Sequence, residues 1–176
     1  MTFMKKLLVL ATIVTALSLT ARAADTTVKI NKVHLCCNGC VKGVEKAVTS
    51  VSGATAQSDK DAGTVTITAP NHDAAQKAAD ALVAAGYFGK SDDATIKLKG
   101  KSGAKKGKVQ SLKVNGVHLC CGKCVTAVTD ALGKVDGVKG NTAVKGAESF
   151  EITGDFNPKD VFAQLHKAGL SGKVGK

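Results

Sequence analysis

The sequence predicts an α+β protein built from two tandem β-α-β-β-α-β units. Three observations lead there: an ungapped internal repeat, a hydrophobic pattern that alternates strand and helix periods in the same order in both copies, and a basic glycine-rich segment between them. "VHLCCNGCVKGVEKAVTSVSG" (33–53) aligns without a gap on "VHLCCGKCVTAVTDALGKVDG" (117–137). After small length changes "GTVTIT" (63–68) matches "ESFEIT" (148–153), and "AADALVAAGYFGK" (78–90) matches "VFAQLHKAGLSGK" (161–173).

Each element follows from the side chains. Val28, Ile30 and Val33 mark a first strand, with Val109, Leu112, Val114 and Val117 as its counterpart. Val41, Val44, Ala47, Val48 and Val51 recur at helical spacing, as do Val125, Val128, Ala131, Leu132 and Val135. Gly53 and Gly137 stop those helices. Short strands are expected around 54–57 and 64–68, and again around 138–142 and 149–153. A second helix is expected over 73–85, capped by Gly86, and over 158–168, capped by Gly169, with Pro158 at a first helical position where its missing N–H has no partner to lose. The closing strand is assigned to "ATIKL" (94–98) and to "LSGKV" (170–174). This order is the split-βαβ, ferredoxin-like pattern. The first unit spans 24–99, "GKSGAKKGK" (100–108) reads as a flexible basic linker, and the second unit spans 109–176.

Residues 1–23 read as a cleaved signal peptide. Lys5 and Lys6 precede an apolar run from Leu7 to Leu19, and Ala21-Arg22-Ala23 offers small residues at both positions a signal peptidase reads. The run is too short to span a bilayer, which takes about 20 residues, and no cysteine follows the cleavage point to take a lipid. The mature chain is therefore expected to be periplasmic or secreted and to lack a transmembrane segment. Cleavage removes Lys5, Lys6 and Arg22 and lowers the formal charge from +11 to +8. Arg22 is the only arginine, so every basic residue left is a lysine. Readers of nucleic acid lean on bidentate arginine and on stacked aromatics. Here Tyr87, Phe88, Phe150, Phe156 and Phe162 are scattered, mostly at apolar positions, and no nucleic-acid partner is expected.

All six cysteines fall in "HLCCNGC" (34–40) and "HLCCGKC" (118–124). Three thiols per unit is an odd number, and adjacent cysteines or CxxC pairs close almost no loop, which argues against a structural disulfide framework. Core packing does not explain six cysteines gathered at two equivalent turns. Cys37 and Cys121 sit in the loop before a helix, and Cys40 and Cys124 in its first turn, so two sulfurs can converge on one ion. Unpaired N–H groups and the positive helix end favour thiolate over thiol there. Lys42 and Lys123 add positive charge, although solvated lysines are ordinary.

"LCCNGCVKGVEKAV" resembles the heavy-metal-associated domain family, whose ferredoxin-like units carry a Met-x-Cys-x-x-Cys loop and a Val-x-x-Val-Glu-x-Ala helix. Cys40, Val41, Val44, Glu45 and Ala47 match that helix start, and the second copy keeps Cys124, Val125, Val128 and Ala131. The resemblance covers nearly all of 24–176. It implies binding and hand-over of soft metal ions, with Cys37, Cys40, Cys121 and Cys124 as ligands. Leu35 and Leu119 replace the family's methionine, Cys36 and Cys120 its usual threonine, and His34 and His118 its usual glycine. Strand alternation points His34 and Cys36 to one side and Leu35 to the other.

The candidate metal site is therefore Cys36, Cys37, Cys40, Cys120, Cys121 and Cys124, with His34 and His118. Two thiolates in line suit Cu+; three thiolates and an imidazole suit Zn2+ or a similar soft ion such as Cd2+ or Hg2+. The residues leave open whether the histidines ligate, and whether the units bind independently or share one ion or cluster. His72 and His166 have no equivalents and are expected at the surface. The reading is a soft-metal carrier or store, with a metal-transporting membrane protein or another metal carrier as partner. No enzymatic activity is expected, because no repeated carboxylate orients an imidazole. The alternatives are thiol–disulfide redox chemistry by the CxxC pairs and a docking module on a fold that hosts many functions.

Overall fold

A computed structural model describes residues 24–176; the expected signal peptide, 1–23, lies outside the described residues. The first unit comprises β1 (Thr26–Asn31), α1 (Asn38–Thr49), β2 (Thr55–Asp59), β3 (Thr64–Ala69), α2 (His72–Ala84) and β4 (Lys90–Ser91). The second comprises β5 (Val109–Asn115), α3 (Gly122–Leu132), β6 (Val138–Asn141), β7 (Ser149–Phe156), α4 (Pro158–Lys167) and β8 (Lys173–Val174). The sheets are antiparallel with orders β2-β3-β1-β4 and β6-β7-β5-β8. Two four-stranded antiparallel sheets with four helices fit two ferredoxin-like domains.

Alternation builds each core. Val28 and Ile30 of β1 pair with Ile67 and Val65 of β3, all four turned inward, while Thr27 and Lys29 face solvent. Cys40, Val44 and Val48 of α1 and Ala75, Ala78, Ala79 and Leu82 of α2 complete that core. In the second unit Phe150, Ile152 and Phe156 of β7 and Val161, Phe162 and Leu165 of α4 do the same work with larger side chains. Each such buried side chain contributes about 1.5–3 kcal/mol. Asn71 and Asn157 cap α2 and α4, accepting from Ala74 N (2.9 Å) and Lys159 N (3.1 Å).

The first closing strand differs from expectation. It is Lys90–Ser91, paired with Asn31 and Ile30, and 94–98 joins no sheet. Asp93 Oδ1 accepts from Thr95 N (2.7 Å) and Thr95 Oγ1 (2.6 Å), turning the chain away. Gln76 then holds 94–98 against α2 through Lys97 N and O, both at 2.9 Å, and Ile96 plugs the core. In the second unit the strand is the shorter Lys173–Val174. The segment read as a loose linker is held near its start, where Ser102 O accepts from Val174 N at 2.8 Å.

The units clasp each other through the loops after α2 and α4. Phe88 N donates to Gly169 O (3.0 Å) and Ser171 N to Gly86 O (2.8 Å), an antiparallel bridge that places Tyr87 opposite Leu170, both fully buried. Gly169 O also accepts from His34 N at 3.2 Å. Gly86 (φ +92°) and Gly169 (φ +77°) are left-handed, and each lies under the loop leading into the other unit's cysteine motif. A Cβ on Gly86 would sit 2.5 Å from His118 N, and one on Gly169 would sit 2.5 Å from His34 N. His166, expected at the surface, is instead half-buried and stacked on Phe88 of the other unit (centroids 3.8 Å, planes 9° apart). His72 is exposed, with Nε2 2.9 Å from Thr95 Oγ1.

Two predictions follow from this clasp. Gly86→Ala with Gly169→Ala adds about 1–2 kcal/mol of backbone strain per site, before the clash. The units should part while each stays folded, read as a larger radius in small-angle scattering with unchanged circular dichroism; an unchanged radius contradicts the clasp. Burial holds His166 and His34 below the ordinary histidine value of 6.5. A base depressed in the folded state carries no penalty above its unfolded value and a growing one below it. Metal-free stability should therefore fall as pH drops below about 6.5, and His166→Gln should flatten that slope in denaturant midpoints across pH 8 to 5.

Candidate metal centre

The same local design opens both motifs. Helices α1 and α3 start with Cys37 and Cys121 at the N-cap, where the backbone is extended and neither side chain caps as a serine or aspartate would. The first helical turns carry no acidic residue. Unpaired N–H groups and the positive helix ends are thus directed at sulfur. Leu35 and Leu119 are buried and anchor each loop on its core, as alternation requires. Cys40 and Cys124 are fully buried, and Cys36, Cys37, Cys120 and Cys121 are partly exposed.

The clasp brings the two motifs face to face. Cys36 Sγ lies 3.3 Å from Cys121 Sγ and 3.4 Å from Cys124 Sγ; Cys120 Sγ lies 3.4 Å from Cys37 Sγ and 3.5 Å from Cys40 Sγ. Within each unit Cys36–Cys40 and Cys120–Cys124 are 3.6 Å apart, Cys37–Cys40 is 3.9 Å and Cys121–Cys124 is 4.0 Å. Cys40–Cys124 closes the set at 4.0 Å. Two groups of four sulfurs lie mutually within 4.8 Å: Cys36, Cys37, Cys120 and Cys121, and Cys36, Cys40, Cys120 and Cys124. Cys36 and Cys120 belong to both. The extra thiol before each CxxC therefore reaches across to the opposite unit. Four sulfurs around an ion at about 2.3 Å stand about 3.8 Å apart, inside the 3.3 to 4.0 Å range of the contacts here.

Neither histidine belongs to these groups. His118 crosses to the first unit, where its ring packs on Tyr87 (centroids 4.6 Å) and would touch a Cβ on Gly43. Tyr87 donates to Cys40 O at 3.0 Å, fastening the clasp to the first turn of α1. The Nε2 atoms of His34 and His118 are buried without a hydrogen-bond partner. Sequence reasoning missed this role of Tyr87, whose one signal is an aromatic directly after a helix-stopping glycine.

Six thiols this close cannot all ionise. The Cys124 thiol, with help from His118 and Cys120, holds Cys40 down to about 2 against its burial. Burial, with the hydrogen bond to Cys121 next, pushes Cys36 up to about 12. Cys120 is raised by burial, and Cys124 by its bond to the Cys40 thiolate. Backbone N–H groups at the start of α3, that of Cys124 foremost, hold Cys121 down to about 6. A cation relieves this crowding by replacing protons. Cys120 also lines an open groove with His118, Leu119, Gly146 and Glu148, so solvent reaches the cluster.

No protein-family profile matches the chain, and no curated protein matches it. Among solved structures it is similar to the N-terminal soluble domains of Bacillus subtilis CopA, at 14% identity over 87% of this chain and 95% of that one, with a TM-score of 0.30. It is also similar to the first two RRM domains of the yeast poly(U)-binding protein Pub1, at 8% identity over 85% and 98%, with a TM-score of 0.24. At that level the sulfur cluster, and not the likeness, is the ground for assigning chemistry. Among the described residues no helix is long and apolar enough to cross a membrane.

The thiols should react unequally in the metal-free protein. At pH 7 Cys121 is largely thiolate, so a small alkylating agent should mark it well before Cys36 or Cys120, its rate falling about tenfold per unit below pH 6. Peptide mapping by mass spectrometry reads the order; equal labelling of all three contradicts it.

Proposed function

We propose that this chain binds soft metal ions through cysteine thiolates contributed jointly by its two units, and stores the metal or passes it to another protein. The observation that carries this reading is the convergence of six sulfurs, three from each unit, at contacts of 3.3 to 4.0 Å. Thiolates of this density select Zn2+, Cu+, Cd2+ or Hg2+ over hard cations. The chain acts outside the cytoplasm, without catalysis, and exchanges metal with a metal-transporting membrane protein or another carrier. Support for that role comes from the signal-like start of the sequence and the partly exposed sulfurs beside an open groove.

Thiol–disulfide exchange is the second reading, favoured by the low value of Cys121 and the 3.3 Å approach of Cys36 to it. The two separate by experiment. Reduced protein titrated with Zn2+ or Cu+ under anaerobic native mass spectrometry should load metal, and loading should protect all six thiols from alkylation. Replacing Cys120, Cys121 and Cys124 by serine should weaken what remains by at least tenfold, because the first unit loses half of a shared site. Half the metal bound at undiminished affinity would show independent sites. No metal bound, with disulfide reductase activity instead, would establish the redox reading.

A further inference from the structure

We propose that the six sulfurs form the frame of a tetranuclear Cu(I)–thiolate cluster; this rests on the metal-binding reading above and specifies the ion, its number and its geometry. The contacts describe an octahedron. Cys37, Cys40, Cys124 and Cys121 form its square, with edges of 3.9, 4.0 and 4.0 Å and a fourth within 4.8 Å. Cys36 and Cys120 are the apices, themselves within 4.8 Å of each other, so the octahedron is compressed along that axis. Cys36 stands 3.6, 3.3 and 3.4 Å from Cys40, Cys121 and Cys124, and Cys120 stands 3.4, 3.5 and 3.6 Å from Cys37, Cys40 and Cys124. The two remaining edges, Cys36–Cys37 and Cys120–Cys121, also fall within 4.8 Å.

An octahedron has triangular faces, and a triangle about 4 Å on edge holds an ion about 2.3 Å from each corner, a soft-metal–sulfur bond length. Ions on four alternate faces use every sulfur twice, so each thiolate bridges two ions and each ion has three sulfurs. Three-coordinate sites suit a monovalent d10 ion, and Cu(I) is the soft thiolate-seeking ion of that kind. Divalent occupants fit less well. Two tetrahedral ions sharing the Cys36–Cys120 edge would hold their terminal sulfurs about 6 Å apart, whereas Cys37–Cys40 and Cys121–Cys124 are 3.9 and 4.0 Å. One tetrahedral ion within Cys36, Cys40, Cys120 and Cys124 would leave Cys37 and Cys121 unused, although each touches the cluster at 3.4 or 3.3 Å.

The step balances without redox change. Four Cu(I) ions arrive as complexes of a small thiol; their Cu–S bonds to the carrier break, twelve Cu–S bonds to the six cysteines form, and the protons of those cysteines still protonated pass to the released carrier thiolates and to buffer. The cluster carries charge −2, which the N-termini of α1 and α3, opening at Cys37 and Cys121 with no acidic residue in either first turn, help to offset.

The test is anaerobic titration of the reduced full chain with Cu(I), read by native mass spectrometry and copper X-ray absorption. Four copper ions per chain should load in a single cooperative step, with three sulfurs per copper and metal–metal scattering. Saturation at one copper, or at two coppers each with two sulfurs and no metal–metal scattering, overturns the cluster but leaves soft-metal binding standing. Failure to bind any soft metal removes both. Cys36→Ser with Cys120→Ser, checked for folding by circular dichroism, provides a second arm. The cluster requires the four-copper state to vanish, whereas separate CxxC sites would still load two. Retention of four coppers by this variant overturns the proposal.

Discussion

The short antiparallel bridge between Gly86–Phe88 and Gly169–Ser171 is the constraint on which the site depends. Each ferredoxin-like unit alone displays three thiols at a strand-to-helix turn. The bridge brings the two sets to 3.3 to 3.5 Å across the boundary. The bridge in turn depends on two left-handed glycines, because any Cβ there meets the backbone leading into the opposite motif. Tyr87 ties the two levels together: its backbone joins the bridge, its ring supports His118, and its hydroxyl donates to the carbonyl of Cys40.

Electrostatics gives the assembled site its chemical character. Negative charge in the metal-free cluster falls on Cys40 and, at neutral pH, Cys121, while Cys36, Cys120 and Cys124 stay protonated, because a second thiolate 3.5 to 4.0 Å from Cys40 is unfavourable. Helix N-termini with no acidic residue, and N-caps occupied by cysteine, leave backbone donors free for sulfur. Crowded, partly protonated sulfur at the positive ends of two helices is the condition that makes soft-metal binding favourable and coupled to proton release.

Periodicity was sufficient to read most of the architecture. Val28, Ile30, Val65 and Ile67 alternate as strands, Val44 and Val48 recur as a helix, and the structure places them so. The first closing strand escaped because "ATIKL" has strand composition, while the Asp93 side chain bends the chain and Gln76 ties it to α2. The six cysteines were legible as candidate ligands from the repeat, while their pooling was one of two readings the residues left open. That outcome rests on long-range packing, and the glycines that permit it read equally well as helix stops. His166 was misplaced for the same reason: its stacking partner, Phe88, lies in the other unit.

Cadmium provides the most direct view of whether the two units share their sulfurs. In 113Cd-loaded protein, cadmium-to-cysteine-Hβ correlations should link a single resonance to cysteines from both motifs, for example Cys36 together with Cys124. Resonances that each correlate only with cysteines of one motif would contradict the account.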